Sequence, residues 1–248
     1  MSAEESEQSP SERREALKEV LAQARGCVRC TELAATRKTV VFGAGNADAD
    51  LMFVGEAPGA SEDEQGVPFV GRAGKLLEQL LSEVGMARSE VFICNVLKCR
   101  PPGNRDPLPV EIDNCQDYLH RQVELIQPSV ICTLGNFSTK LLRDDPTGIT
   151  RLHGQPEVLT LGSRAVRLYP IFHPAAALYT PRMLETLRED FTRLPELLAL
   201  GAPEQPQFSQ VPAMEIEEIE ETPEIEQAEI QGQTSEGQAS EIDQLGLF

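Results

Sequence analysis

Two groups of residues in this chain have the types and spacing to do chemistry. Cys27 and Cys30 form a Cys-x-x-Cys pair, Cys99 sits in the segment 98–102, and Cys115 follows 16 positions later. Four thiolates can hold a tetrahedral zinc ion or a 4Fe-4S cluster. The second pair is more widely spaced than in a zinc ribbon, and spacing alone leaves cluster, zinc and no metal all open. Cys94 and Cys132 lie inside apolar runs and read as buried small hydrophobes. The second group is residues 51–74, LMFVGEAPGASEDEQGVPFVGRAG, where an apolar run breaks into a Gly/Pro loop carrying Glu56 and Phe69 before residues 72–74 open a helix. Gly55 and Gly59 let backbone approach a small planar ligand, Pro58 stiffens the turn, and free N–H groups there can face a polar or anionic group. Base or phosphate recognition is the chemistry this suggests; an ordinary strand-to-helix connection is the alternative.

Both groups need elements to position them. Residues 11–25 carry Leu17, Val20, Leu21 and Ala24 at helical spacing after a Ser-Pro-Ser start, an amphipathic helix that delivers Cys27. Strands are expected at 51–54, 91–94, 130–134 and 166–172, and helices at 73–84, 110–126, 137–143 and 182–200. Repeated βα alternation predicts an α/β fold, a three-layer αβα sandwich around a central, mostly parallel four-stranded sheet. Loops leaving the carboxyl ends of such strands share one rim, where ligands bind.

Composition divides the chain. Residues 201–248 hold 12 of the 40 acidic side chains and no Lys or Arg, which leaves 28 acidic against 22 basic residues, about −6 of the net −18, on residues 1–200. The expected organisation is a disordered N-terminus at 1–10, a folded domain at 11–200 and a disordered acidic tail at 201–248. The global charge does not exclude a nucleic-acid partner, since Arg37, Lys38, Lys98, Arg100 and Arg105 cluster near the loops. Residues 1–10 do not resemble a signal peptide and no apolar run is long enough to span a bilayer, so a soluble cytoplasmic protein with no membrane partner is expected. Six cysteines in a reducing compartment argue against a disulfide framework.

Residues 93–105, ICNVLKCRPPGNR, and 171–178, IFHPAAAL, add two further motifs. With GEAPG, GVPFVGRAG and the four cysteines in this order, they resemble the family-four, iron–sulfur branch of the uracil-DNA glycosylases over residues 14–198. That resemblance implies a 4Fe-4S cluster on Cys27, Cys30, Cys99 and Cys115, of structural use. It implies a monofunctional glycosylase that flips deoxyuridine out of single- or double-stranded DNA, hydrolyses the N-glycosidic bond and leaves an abasic site for base excision repair. In the matching positions, Asn95 reads uracil through its amide, Phe69 stacks on the base, Asn104 stands at the pocket rim, and Gly55, Glu56 and Ala57 form a wall. His173, before Pro174, donates a hydrogen bond to the leaving uracil anion. The same resemblance implies DNA contacts from Lys98, Arg100, Arg105 and Arg182, and places Leu178 where the superfamily carries a wedge, a cap on the following helix being the alternative.

The chain departs from family-one glycosylases at two positions, with Ala57 where those carry a water-activating Asp and Gly59 where they carry a methyl-excluding Tyr. Water positioning then falls to Glu62, Asp63 or backbone carbonyls, unless the reaction is dissociative enough to need no strong base, and thymine exclusion falls to Glu56. Gln244, Leu245, Leu247 and Phe248, in QLGLF, resemble the short peptide that docks bacterial repair proteins on the β sliding clamp. A monomer associated with the bacterial nucleoid is expected. The rivals are a relative that captures uracil-DNA covalently, which carries a GEQPG-like first motif, and a non-enzymatic iron–sulfur protein that binds DNA or transfers electrons.

Overall fold

The computed structural model describes residues 8–206. Helix α1 (Pro10–Arg25) starts at a Ser9 cap with Glu12 closing a capping box, and buries Leu17, Val20, Leu21 and Ala24, the stripe expected from sequence. Short α2 (Thr31–Thr36) and strand β1 (Ala44–Gly45) lead to β2 (Leu51–Gly55), α3 (Ala60–Gln65), α4 (Arg72–Glu83) and β3 (Phe92–Asn95). Next come α5 (Pro109–Ile126), β4 (Val130–Leu134), α6 (Asn136–Arg143) and α7 (Ile149–Leu152). Strands β5 (Glu157–Leu161) and β6 (Arg164–Ile171) precede α8 (Pro174–Ala177), α9 (Pro181–Thr192) and α10 (Leu194–Ala199).

The sheet has six strands in the order β1-β3-β2-β4-β6-β5. The four inner strands are parallel and are the four expected; β1 and β5 add antiparallel edges. The edge strands escaped the sequence pattern for separate reasons. Strand β1 is two residues long and lies among positive-φ glycines, and β5 forms a hairpin with β6 across Gly162 and Ser163 with alternate residues exposed.

Every inner strand is apolar on both faces because both are covered. Met52, Val54, Phe92, Cys94 and Ile131 pack with α1 and α5, whereas Leu51, Phe53, Ile93, Val130, Cys132 and Tyr169 pack with α4, α9 and α10. Alternation along each strand divides its side chains between the two cores, which gives the αβα sandwich. β2 pairs with β3 on one side and β4 on the other, so the chain reverses direction across the sheet there. The carboxyl-end crevice at this switch point is where the motifs gather. The chain continues in an ordered path past α10, where the Gln205 side chain bonds both the N–H and the carbonyl of Ala165. No described helix is long and apolar enough to cross a membrane. The sliding-clamp peptide expected at Gln244, Leu245, Leu247 and Phe248 lies outside the described residues.

Candidate base pocket and cysteine cavity

The ends of β2, β3 and β6 open into a cavity of about 440 Å³ lined by Glu56, Ala57, Gly59, Glu62, Phe69, Asn95, Asn104 and His173, among others. That volume lies within the usual range for small-molecule sites. The structure brings together the expected base-reading, stacking and proton-donating residues, although Phe69 and His173 are 104 positions apart. Asn95 is 2% exposed at the tip of β3. A Cβ on Gly55 would lie 2.4 Å from Asn95 Oδ1 and 2.9 Å from Phe69 Cζ, so only glycine leaves both side chains where they are.

Phe69 is held with φ of 54°, a left-handed conformation disfavoured for a residue with a side chain. Three contacts offset that cost. Glu62 Oε1 accepts from the backbone N–H of Val70 at 3.0 Å and of Gly71 at 2.9 Å. Arg88 donates to the Phe69 carbonyl at 3.1 Å and to that of Pro68. Helix α4 presses on the same carbonyl through Gly74, where a Cβ would sit 1.7 Å from it. Neither Arg88 nor Gly74 was legible as a site residue, because each acts on backbone rather than on a ligand. Glu62, expected to position water, has one oxygen committed to holding this loop, and Asp63 is buried against the Lys38 N–H at 2.9 Å, away from the cavity.

His173 faces Phe69 with ring centroids 5.7 Å apart and planes inclined by 28°. Its Nδ1 accepts from the Ala175 N–H at 3.1 Å. Enclosure lowers its pKa to about 4, against an opposing pull from the Glu62 carboxylate, so the ring is neutral at pH 7. A neutral imidazole accepting at Nδ1 carries its proton on Nε2, which makes Nε2 a donor. Gly135, with φ of 94°, lets β4 pass beside this ring; a Cβ there would be 2.9 Å from His173 Cβ. Glu56 is raised from the usual carboxylate range by burial and by Asp106 nearby. It also borders a neighbouring groove of about 720 Å³ with Gly135, Asn136 and Lys140.

The expected DNA contacts fare unevenly. Lys98 is 1% exposed and turned inward, so it is not a surface cation. Its ammonium donates to the Asn95 carbonyl at 2.7 Å and to Gln122 Oε1 at 2.6 Å, acceptors that replace water inside the fold. Arg105 forms a two-pronged pair with Glu111, at 2.9 and 2.7 Å, and also reaches Glu32 at 2.7 Å, while Arg100 donates to Asn104 Oδ1 at 2.7 Å. These arginines brace the pocket rim. Arg182 is exposed in the first turn of α9. Leu178 packs against the apolar core, and its neighbour Tyr179 is the outward residue, 75% exposed. The Arg72 guanidinium lies 5.1 Å from the Tyr179 ring centroid and donates to its hydroxyl at 2.9 Å.

On the other side of β3, Cys27, Cys30, Cys99 and Cys115 line one cavity of about 20 Å³. Cys94 and Cys132 are fully buried in strands, as expected. The four sulfurs come from the α1–α2 connection, the segment after β3, and α5. As they stand, no three His, Cys, Asp or Glu side chains among the described residues form a metal-binding group. The donor chemistry nevertheless fits a thiolate-bound centre. Arg37 donates to Cys99 Sγ at 3.1 Å, the Lys98 N–H to Cys115 Sγ at 3.3 Å, and Asn114 to Cys30 Sγ at 3.6 Å, all of which favour the charged form of sulfur. Burial pushes the Cys115 thiol up to about 11, so its thiolate needs a bound cation at neutral pH.

Comparison with known proteins follows the same lines. Residues 42–195 match the family described as the uracil DNA glycosylase superfamily. The chain is 42% identical over 193 residues to a type-4 uracil-DNA glycosylase of Archaeoglobus fulgidus, a match covering 76% of this chain and 96% of that protein. It is 44% identical to the type-4 enzyme of Sulfurisphaera tokodaii, over 74% of this chain and 85% of the other, and 45% identical to that of Thermotoga maritima, over 65% and 83%.

Proposed function

The chain belongs to the uracil DNA glycosylase superfamily, in its type-4 branch, and from that premise we propose that it excises uracil from DNA by hydrolysing the N-glycosidic bond. The observation that carries the mechanism is the His173 tautomer, whose Nε2–H is a donor beside Phe69 and Asn95. Base flipping brings deoxyuridine into the cavity, where the buried Asn95 amide pairs with uracil O4 and N3–H; cytosine presents the reverse pattern and leaves that amide unpaired. The Phe69 ring supplies a stacking face, worth about 1–3 kcal/mol in comparable sites.

As the glycosidic bond lengthens, negative charge develops on uracil O2. His173 donates Nε2–H to it, and being neutral it stabilises the anion without having to surrender a proton first. Glu56, with its raised pKa, walls the pocket and disfavours the thymine methyl. We assign Glu62 to holding the Phe69 loop, which leaves water positioning to Glu56 and to backbone carbonyls of the Gly55–Gly59 turn. Asn104 and its Arg100 partner stand at the rim, Arg182 is the exposed cation for phosphate, and the Leu178–Tyr179 corner meets the duplex with Tyr179 outermost.

Cys27, Cys30, Cys99 and Cys115 are the residues that would hold a 4Fe-4S cluster. Such a centre supplies a rigid tie between the first helix connection, the segment after β3 and α5. Gln244, Leu245, Leu247 and Phe248 extend the proposal to docking on a bacterial β sliding clamp by an otherwise cytoplasmic, nucleoid-associated monomer.

The test is incubation of the purified protein with single- and double-stranded oligonucleotides carrying one uracil, followed by alkali and gel separation. Strand scission by the wild type and its loss in His173→Ala is the expected result. Intact strands would refute the glycosylase reading, and a protein–DNA adduct persisting on a denaturing gel would favour the covalent relative.

A further inference from the structure

Lys98 is the buried charge that the reaction does not use. Its ammonium donates to two neutral oxygens, Asn95 O and Gln122 Oε1, and to the buried Cys94 thiol, lies 5.8 Å from the centroid of the Phe42 ring, and forms no ion pair among the described residues. Gln122, itself fully buried, donates to the Phe42 carbonyl at 3.0 Å, which aims its oxygen at Lys98. An ammonium enclosed with neutral acceptors alone is costly, and a nearby negative charge is needed to offset that cost. The main chain of the same residue shows where such charge is available. Lys98 lines the cavity with all four cysteines, and its N–H donates to Cys115 Sγ.

The side chain meanwhile turns back three residues to the tip of β3. There the peptide joining Asn95 to Val96 is pinned at both ends, its carbonyl by Lys98 and its N–H by the Gly55 carbonyl at 3.0 Å. Leu97 N–H likewise holds the Glu56 carbonyl at 3.0 Å. One short segment therefore carries the base reader at its start and a cysteine of the cavity at its end, with Lys98 as the brace between them.

We propose that Lys98 is a positioning residue that couples the cysteine cavity to the uracil-reading end of β3, its charge balanced by cysteine thiolates and its ammonium fixing the Asn95 peptide. The inference rests on the glycosylase reading of Asn95. It predicts that loss of the cation harms recognition of the lesion but not of DNA in general, because Lys98 has no surface to offer a phosphate.

The experiment compares full-length wild type, Lys98→Met, Lys98→Arg and Gln122→Met. Binding is measured to an oligonucleotide carrying 2′-fluoro-deoxyuridine, whose glycosidic bond resists cleavage, and to the same strand without it; the reduction potential of the iron–sulfur centre is read in parallel. Lys98→Met is expected to lose about tenfold in lesion affinity, as for other residues that brace a metal site, with unchanged affinity for the lesion-free strand and a lower potential. Lys98→Arg restores the potential but not the lesion affinity. Equal loss on both strands would mark a phosphate contact and overturn the proposal, as would wild-type lesion affinity and potential in Lys98→Met. Should Lys98→Met fail to fold, Gln122→Met decides: about tenfold weaker lesion binding at unchanged potential supports the brace, and wild-type lesion binding refutes it. Absence of uracil release by the wild type would instead sink the glycosylase reading.

Discussion

Replacing Glu62 separates two tasks that a carboxylate in this pocket could perform. If it holds the Phe69 loop, what matters is an acceptor oxygen at the N–H groups of Val70 and Gly71, now 3.0 and 2.9 Å away. Glu62→Ala removes both charge-assisted bonds and leaves two half-buried donors, a loss of about 2–3 kcal/mol once partial rehydration is allowed for. For a domain of this size that lowers Tm by about 5–9 °C. Glu62→Gln keeps one oxygen, and neutral acceptors are about half as strong, so its loss is about 1–1.5 kcal/mol and about 3–5 °C. Excision by Glu62→Gln should stay within about fivefold of wild type, whereas removing a general base costs about 10²–10⁴-fold. The assays are thermal unfolding and single-turnover excision from a uracil-containing oligonucleotide. A Glu62→Gln protein with wild-type Tm and a rate lowered about a hundredfold or more would refute the loop assignment and make Glu62 the base.

Gly55→Ala places a methyl 2.4 Å from Asn95 Oδ1 and 2.9 Å from Phe69 Cζ, and excision should fall about a hundredfold, since displacement of about 1 Å has that effect; wild-type kinetics would show that the pocket yields. Because His173 titrates at about 4 when folded and near 6.5 in an unfolded chain, the unfolded state binds more protons between those values. Its contribution is full above pH 6.5 and is lost as pH falls toward 4, by no more than about 1.4 kcal/mol per pH unit. Denaturant melts at several pH values should show a shallower acid loss in His173→Asn than in wild type, and identical slopes would contradict the neutral ring. Deleting residues 244–248 should abolish capture by immobilised β clamp and leave excision on naked oligonucleotides unchanged; undiminished capture would remove the docking peptide from the account.

The sequence alone determined the chemistry-bearing residues and the inner architecture of this protein. Continuous short apolar runs identify strands buried on both faces, and the glycine, proline and histidine motifs at their ends are local patterns carried by contiguous residues. Tertiary structure decided which side chains face which way. Lys98 and Arg105 look alike as loop cations, but one is drawn inward by the Asn95 and Gln122 oxygens and the other is tied to Glu111 and Glu32. Leu178, expected as a wedge or a helix cap, turns to the core, and its neighbour Tyr179, which the motif did not single out, is left outside. Glu62 becomes a loop holder only because folding brings the N–H groups of Val70 and Gly71 to it. The physical reason is common to these cases. A motif specifies residue type and spacing, whereas burial and hydrogen-bond partners come from segments distant in the chain, as when Gln122 on α5 meets Lys98 beyond β3.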